Sequence, residues 1–225
     1  MKQYSLGMIL ITAIVALSAG VVVDHAVVPA LAPARNPDAA MVSSYAPDAW
    51  KIYAGGMYDK QSGSYAGISF SYPRDFDLRE AENASGGFLK TPMVQVRFPQ
   101  DAYQEPKSNF GEAYMTVSSD NDPKAFSSCF DFAEFGRQTA PSVMRMINGI
   151  AFRFATTTDV GAGNIYDSQV FRAQYKQRCY EFALTVHTGN IGNYPERTVI
   201  EFDKVPAFAM LDRILETVKF TDAAR

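Results

Sequence analysis

The chain has 225 residues, 47% of them hydrophobic and 13% aromatic, enough for one sizeable core and too apolar for a mostly disordered protein. Its net charge is −3, from Lys+Arg 21 against Asp+Glu 24, which excludes a general electrostatic grip on nucleic acid and gives no pull toward anionic lipid. Two cysteines, Cys129 and Cys179, and two histidines, His25 and His187, are too few and too scattered for a His/Cys zinc site, so neither metal nor cofactor is expected.

The first element is an uncharged stretch from Leu6 to Val23, behind Lys2 and closed by Asp24. As a helix it would span about 27 Å, long for a signal-peptide core and short for a membrane anchor. Ala16-Leu17-Ser18 and Ser18-Ala19-Gly20 supply the small residues that a signal peptidase takes. Residues 1–23 are therefore read as a signal-anchor or a signal peptide. An anchor leaves the chain attached to the membrane with its domain outside the cytoplasm, and cleavage leaves it secreted. Residues 24–49, with Pro29, Pro33, Pro37 and Pro47 among small residues, read as a stiff tether. Residues 50–225 form the globular part, with a core over 67–221.

Trp50 to Gly67 has no clear period. Beyond it, Ile68, Phe70 and Tyr72 alternate with serines up to Pro73, and a weaker strand follows at Phe76–Ala81. Val94, Val96 and Phe98 alternate with Gln95 and Arg97, Ala113–Ser118 is a further strand, and Ile150, Phe152 and Phe154 alternate in another. Val160–Asn164 reads as a turn. Tyr166–Tyr175 and Arg178–Thr188 are long strands joined at Lys176-Gln177, and a short strand closes the chain near Phe220. Two helices are predicted. Asp122-Pro123 caps the first, whose stripe would be Phe126, Cys129, Phe130 and Ala133. The second runs from Pro206 to Thr217 and buries Phe208, Leu211, Leu215 and Val218.

Consecutive strands with two helices imply an α+β domain around an antiparallel sheet. The strand Arg178–Thr188 presents Tyr180, Phe182, Leu184 and Val186 on one face and Cys179, Glu181, Ala183, Thr185 and His187 on the other. Outside the cytoplasm, Cys129 and Cys179 are expected to form a disulfide. That bridge would lay the first helix on the second face and leave the first face to the C-terminal helix, an α/β/α sandwich.

Gly67-Ile68-Ser69-Phe70-Ser71-Tyr72-Pro73, followed by Asp75-Phe76, resembles the opening of PsbP/Mog1-like domains. The later order fits too: a helix, Asn148-Gly149-Ile150-Ala151-Phe152, a hairpin, and a terminal helix ending in Leu215-Glu216-Thr217-Val218-Lys219-Phe220. The resemblance covers about Gly67 to Thr221 and extends to small bacterial envelope proteins. It implies the same sandwich. PsbP-like proteins are accessory subunits of membrane complexes and Mog1-like ones bind a small GTPase, but no residue role carries over.

The sequence carries no motif that names a reaction, and no catalytic residue is assigned. Cys179 and His187 share a strand face but stand about 26 Å apart along it, too far for a dyad. Gly161-Ala162-Gly163-Asn164 lacks the lysine of a phosphate loop, and Asp120-Asn121-Asp122 lacks the glycine and glutamate of a calcium loop, having Ala125 and Asp131 there. Asn83-Ala84-Ser85 matches a glycosylation sequon. His187 precedes a loop rich in glycine and asparagine, so His187, Asn190 and Tyr166 are candidate binding residues. Arg172, and Arg153 on a neighbouring strand, suit an acidic group or an ion pair. The expected function is a membrane-tethered extracytoplasmic binding or accessory domain of the cell envelope. Its expected partner is an envelope protein or small ligand, not nucleic acid, with membrane contact through the N-terminal segment. The alternative is an envelope enzyme or ligand-binding factor acting near His187, Asn190 and Tyr166.

Overall fold

The computed structural model describes residues 50–59, 64–103, 107–132 and 143–222. The candidate membrane segment, the whole of the tether and Ala133 of the predicted helix stripe lie outside the described residues. Among those residues no helix is long and apolar enough to cross a membrane.

The elements are β1 (Trp50–Asp59), β2 (Ser64–Pro73), β3 (Asp77–Glu80), β4 (Thr91–Arg97), β5 (Phe110–Asp120), α1 (Pro123–Ser127), β6 (Val143–Ile147), β7 (Ile150–Gly161), β8 (Asn164–Tyr175), β9 (Arg178–Gly189), α2 (Val205–Leu215) and β10 (Lys219–Thr221). They form two sheets, a 3-stranded one in the order β1-β2-β10 and a 7-stranded one in the order β3-β4-β5-β9-β8-β7-β6. All named strand pairs are antiparallel. Three two-residue turns set the register of the β6–β9 meander: Asn148-Gly149 (φ 47 and 80), Ala162-Gly163 (φ 50 and 82) and Lys176-Gln177 (φ 46 and 56). Positive φ at both central residues gives the turn twist that matches paired strands.

The apolar face of the large sheet carries Val94, Val96, Met115, Val117, Phe171, Tyr180, Phe182 and Leu184, all at most 1% exposed. Against it pack Ala207, Met210, Leu211, Ile214 and Leu215 of α2, and Ala66, Ile68, Phe70 and Tyr72 of β2. Phe220 of β10 closes this core against Tyr175, Tyr180 and Phe182, with ring centroids 4.7, 5.0 and 6.4 Å away. The alternating residues read from the sequence thus point inward as expected.

The opposite face departs from expectation, and the α/β/α sandwich is corrected to a mostly β fold of two antiparallel sheets with two α-helices among the described residues. Asp122 caps α1 as predicted, its Oδ1 accepting from Lys124 N at 2.8 Å, with Pro123 at the first position. The helix then stops at Ser127. The hydroxyls of Ser127 and Ser128 both turn back onto Lys124 O at 2.9 Å, competing with helical continuation. Cys129 and Phe132 are buried beyond its end, while α1 itself buries no residue. The spacing of Phe126, Cys129 and Phe130 therefore marks a short turn of helix and a descending loop, not an amphipathic stripe.

That face is closed instead by irregular chain around residues 84–90 and 128–132. Cys129 and Cys179 are joined by a disulfide, Cα atoms 5.5 Å apart, closing a loop with a sequence separation of 50. Closing a loop of that length restricts the unfolded chain by about 4 kcal/mol. Beside it Arg172 and Glu181 form an ion pair that is 1% and 0% exposed. Glu181 Oε2 accepts from Arg172 Nε and Nη2 at 2.9 and 2.8 Å, and its Oε1 accepts from Phe88 N and Leu89 N at 2.7 and 3.3 Å. Arg172 Nη1 donates to Asp131 O at 2.8 Å and Cys129 O at 3.4 Å. One buried pair thus fastens both covering segments to β8 and β9. Burial pushes the Glu181 carboxyl up and Arg172 draws it back down.

Candidate binding site

Where β9 ends and β5 begins, the polar face of the large sheet carries a row of chemically capable side chains. The register sets Glu112 opposite His187, His187 opposite Tyr166, and Tyr166 opposite Asp159. Directly opposed residues share a face, so the row crosses β5, β9, β8 and β7. Arg97 of β4 extends it, pairing through Nη2 with Glu112 Oε2 and lying 5.9 Å from the centre of the Tyr114 ring.

His187 is held on three sides. Its ring stacks on Tyr166 at 4.4 Å and 10°. Its Nε2 donates to Asn164 Oδ1 at 2.8 Å. Its other nitrogen faces Gly111, where the β5–β9 register shifts between Phe110 and Glu112. A Cβ on Gly111 would lie 2.5 Å from His187 Nδ1, so the bulge needs a residue without a side chain. Burial holds the imidazole below its ordinary value of 6.5, with Glu112 acting in the other direction. Tyr114 is pushed up to about 12, first by burial and then by Glu112.

The row borders a cleft of about 550 Å3, lined by Asp77, Arg79, Arg97, Gln100, Gly111 and Glu112. A second depression of about 330 Å3 shares Gln100 and Gly111 with it and adds Tyr103 and Lys107. Arg79 and Asp77 pair at 2.9 Å on the rim. The lining alternates both signs of charge, an arrangement suited to zwitterionic or hydrogen-bonding groups. Among the described residues no three His, Cys, Asp or Glu side chains gather as a metal site.

Of the residues singled out from the sequence, Tyr166 and His187 are in ring contact. Asn190 lies one turn beyond, and its Oδ1 accepts from Gly192 N at 3.0 Å, while its own N–H donates to Gly163 O at 2.8 Å. Its amide thus builds the loop wall. Arg172 is six positions from Tyr166 on the same face of β8, about 20 Å along the strand, and is engaged by Glu181. Cys179 is oxidised and offers no thiol. Arg97, Glu112 and Asn164 are not among the candidate binding residues of the sequence. The sequence shows them only as polar positions in alternating strands or a turn, and the strand order that joins them is not local information.

No family model matches the chain, and no curated protein matches it. Among solved structures, a protein from Bacteroides thetaiotaomicron VPI-5482 aligns with a TM-score of 0.38 and 12% identity, over 70% of this chain and 46% of that one. This chain therefore spans less than half of that protein's length. LpqN of Mycobacterium tuberculosis, described as involved in cell envelope biogenesis, aligns with a TM-score of 0.43 and 12% identity, over 76% of this chain and 91% of LpqN. These comparisons do not show a PsbP or Mog1 match.

Proposed function

We propose that the chain is an extracytoplasmic accessory domain of the cell envelope, tethered through residues 1–49, that binds a partner protein at the Arg97–Glu112–His187–Tyr166 end of its large sheet. The observation that carries this reading is the in-register row beside the cleft. It concentrates the Tyr166 ring, an arginine–carboxylate pair and a histidine held by its neighbours at one end of the large sheet. Aromatic and arginine side chains on such a scaffold are the usual anchors of protein recognition. The oxidised Cys129–Cys179 pair supports a compartment outside the cytoplasm. The uncharged stretch Leu6–Val23 supports delivery there.

A second reading is an envelope enzyme or small-ligand factor using the same corner. It is favoured by the size and mixed polarity of the cleft and by burial of the imidazole, which keeps His187 neutral at higher proton concentration than a free histidine.

The test is a photo-crosslinking residue placed at Gln100, in the cleft wall, within the full chain in its native membranes. A discrete protein adduct is expected, absent when the same probe stands at Lys176 in the turn at the far end of β8 and β9, and lost on Arg97→Ala. Equal adducts from both positions, or none from Gln100, would contradict the protein-partner reading. A retained small molecule recovered with the chain and lost on Tyr166→Ala would favour the second.

A further inference from the structure

The two outer strands of the seven-stranded sheet differ in kind. β3, Asp77-Leu78-Arg79-Glu80, is short and charged, with Arg79 bound to Asp77. Such an edge resists pairing with another chain. β6, at the other end, is Val143-Met144-Arg145-Met146-Ile147 and pairs only with β7 among the described residues. Val143, Met144 and Met146 are 52%, 58% and 64% exposed. An edge strand with this much exposed apolar surface and no charge on its outer face is open to strand addition.

We infer that a second copy of this chain pairs antiparallel along β6 about a two-fold axis at Arg145. Three observations select this occupant, and none depends on the sheet-end site. The first is the sequence of β6, which reads the same by residue type in both directions: aliphatic, Met, Arg, Met, aliphatic. An isologous interface must be self-complementary. Pairing centred on Arg145 sets Met144 opposite the second copy's Met146, and Val143 opposite its Ile147.

The second observation is the direction of the free backbone groups. The two-residue turn Asn148-Gly149 closes on the pair Ile147–Ile150. A closing pair of this kind is hydrogen-bonded, and antiparallel pairs alternate, so Arg145 also bonds to β7 while Met144 and Met146 turn their N–H and C=O groups outward. Those are the groups that the proposed register brings together, in four bonds across the axis. A register slipped by one residue, with its axis between two residues, would set inward-pointing groups against outward ones, and an axis at Met144 or Met146 would lose the match of residue types about Arg145.

The third is charge. Two arginines would face each other at the axis, which on a bare edge would repel. Here each guanidinium is already answered by α2. Arg145 Nη2 donates to Asp212 Oδ2 and Glu216 Oε1, both at 3.0 Å, and its Cζ lies 5.5 Å from the centre of the Phe171 ring. Beside Val143, a mostly apolar groove of about 520 Å3 lined by Phe154, Phe208, Ala209 and Val205 runs along this edge. Val205 is 70% exposed at its mouth.

The experiment uses full chains, whose native cysteines are both consumed in the disulfide. Met144→Cys and Met146→Cys chains carrying different tags are mixed and oxidised. The expected result is a covalent dimer joining the two tags, in yield several-fold above that of either variant alone, because each Met144 faces a Met146. Equal yields in all three samples, or no dimer, would overturn the proposal. Light scattering supplies a second reading: the wild-type chain is expected to be dimeric, and Met144→Lys/Met146→Lys monomeric with an unchanged circular dichroism spectrum. A monomeric wild type, or a dimer that survives both lysines, would also overturn it. Should the double variant not fold, the cysteine pair, which changes little volume on an exposed face, decides alone.

Discussion

On one side of β9, Phe182, Leu184 and Val186 lie against α2 and the small sheet. On the other side of the same strand, Cys179 and Glu181 hold irregular chain in place by a covalent bond and an ion pair. The first face is closed by area. Its side chains gain by leaving water, and no single contact is indispensable. The second face is closed by points. Its covering segments bury few apolar side chains of their own, chiefly Phe132 in a small cluster with Ala155 of β7 and Val170 of β8, so they depend on a few strong attachments. The lesson is that a strand buried on both sides need not be packed in the same way on both, and the two sides should fail differently.

The largest effect expected follows from breaking the point attachment. Glu181→Ala leaves Arg172 buried without its counter-ion and removes the acceptor of Phe88 N and Leu89 N. It should lower unfolding free energy by about 3–5 kcal/mol. Leu211→Ala, on the area-closed face, should cost about 2–5 kcal/mol. Chemical denaturation measures both totals, and hydrogen exchange separates their patterns. Glu181→Ala should speed exchange first at residues 84–90 and 128–132, Leu211→Ala across the sheet and α2 together. Identical exchange patterns would remove the distinction between the faces.

A smaller effect concerns the sheet end. His187 has a folded value held below its ordinary 6.5 by burial. As pH falls, the unfolded chain takes that proton first, so the stability tied to the neutral ring is fully present above the unfolded value and is lost as pH falls through the lower, folded one. Denaturation between neutral and mildly acid pH should therefore show falling stability that His187→Gln flattens. An unchanged slope in the variant would assign the loss to other groups.

Much of the area-closed face was legible. The alternation in β2, β4 and β9, the apolar side of α2 and the turn at Lys176-Gln177 all follow from local pattern. That turn also implies that Arg172 stands opposite Glu181, as the register shows, because both lie equally far from it. The point-closed face was not legible in the same way. The helical spacing around Cys129 is real, but two serines end α1 before it can be used. β1 was obscured because Gly55 and Gly56 interrupt its alternation. β6 was missed because it buries only Ile147 and shows no period at all. An edge strand with exposed methionines has little in it for a burial pattern to detect. The candidate site shared that fate in part. Tyr166 and His187 are cross-strand partners in a local hairpin, whereas Glu112 and Arg97 arrive through β5 and β4, from far back in the chain.

The sheet end is the central functional claim, and hydrogen exchange on the full chain tests it most directly, in its native membranes and after purification away from them. Slower exchange is expected in the membranes at residues 97–100, 110–113 and 186–189, with 174–178 at the opposite end unchanged. Equal exchange at the two ends in both samples would contradict it.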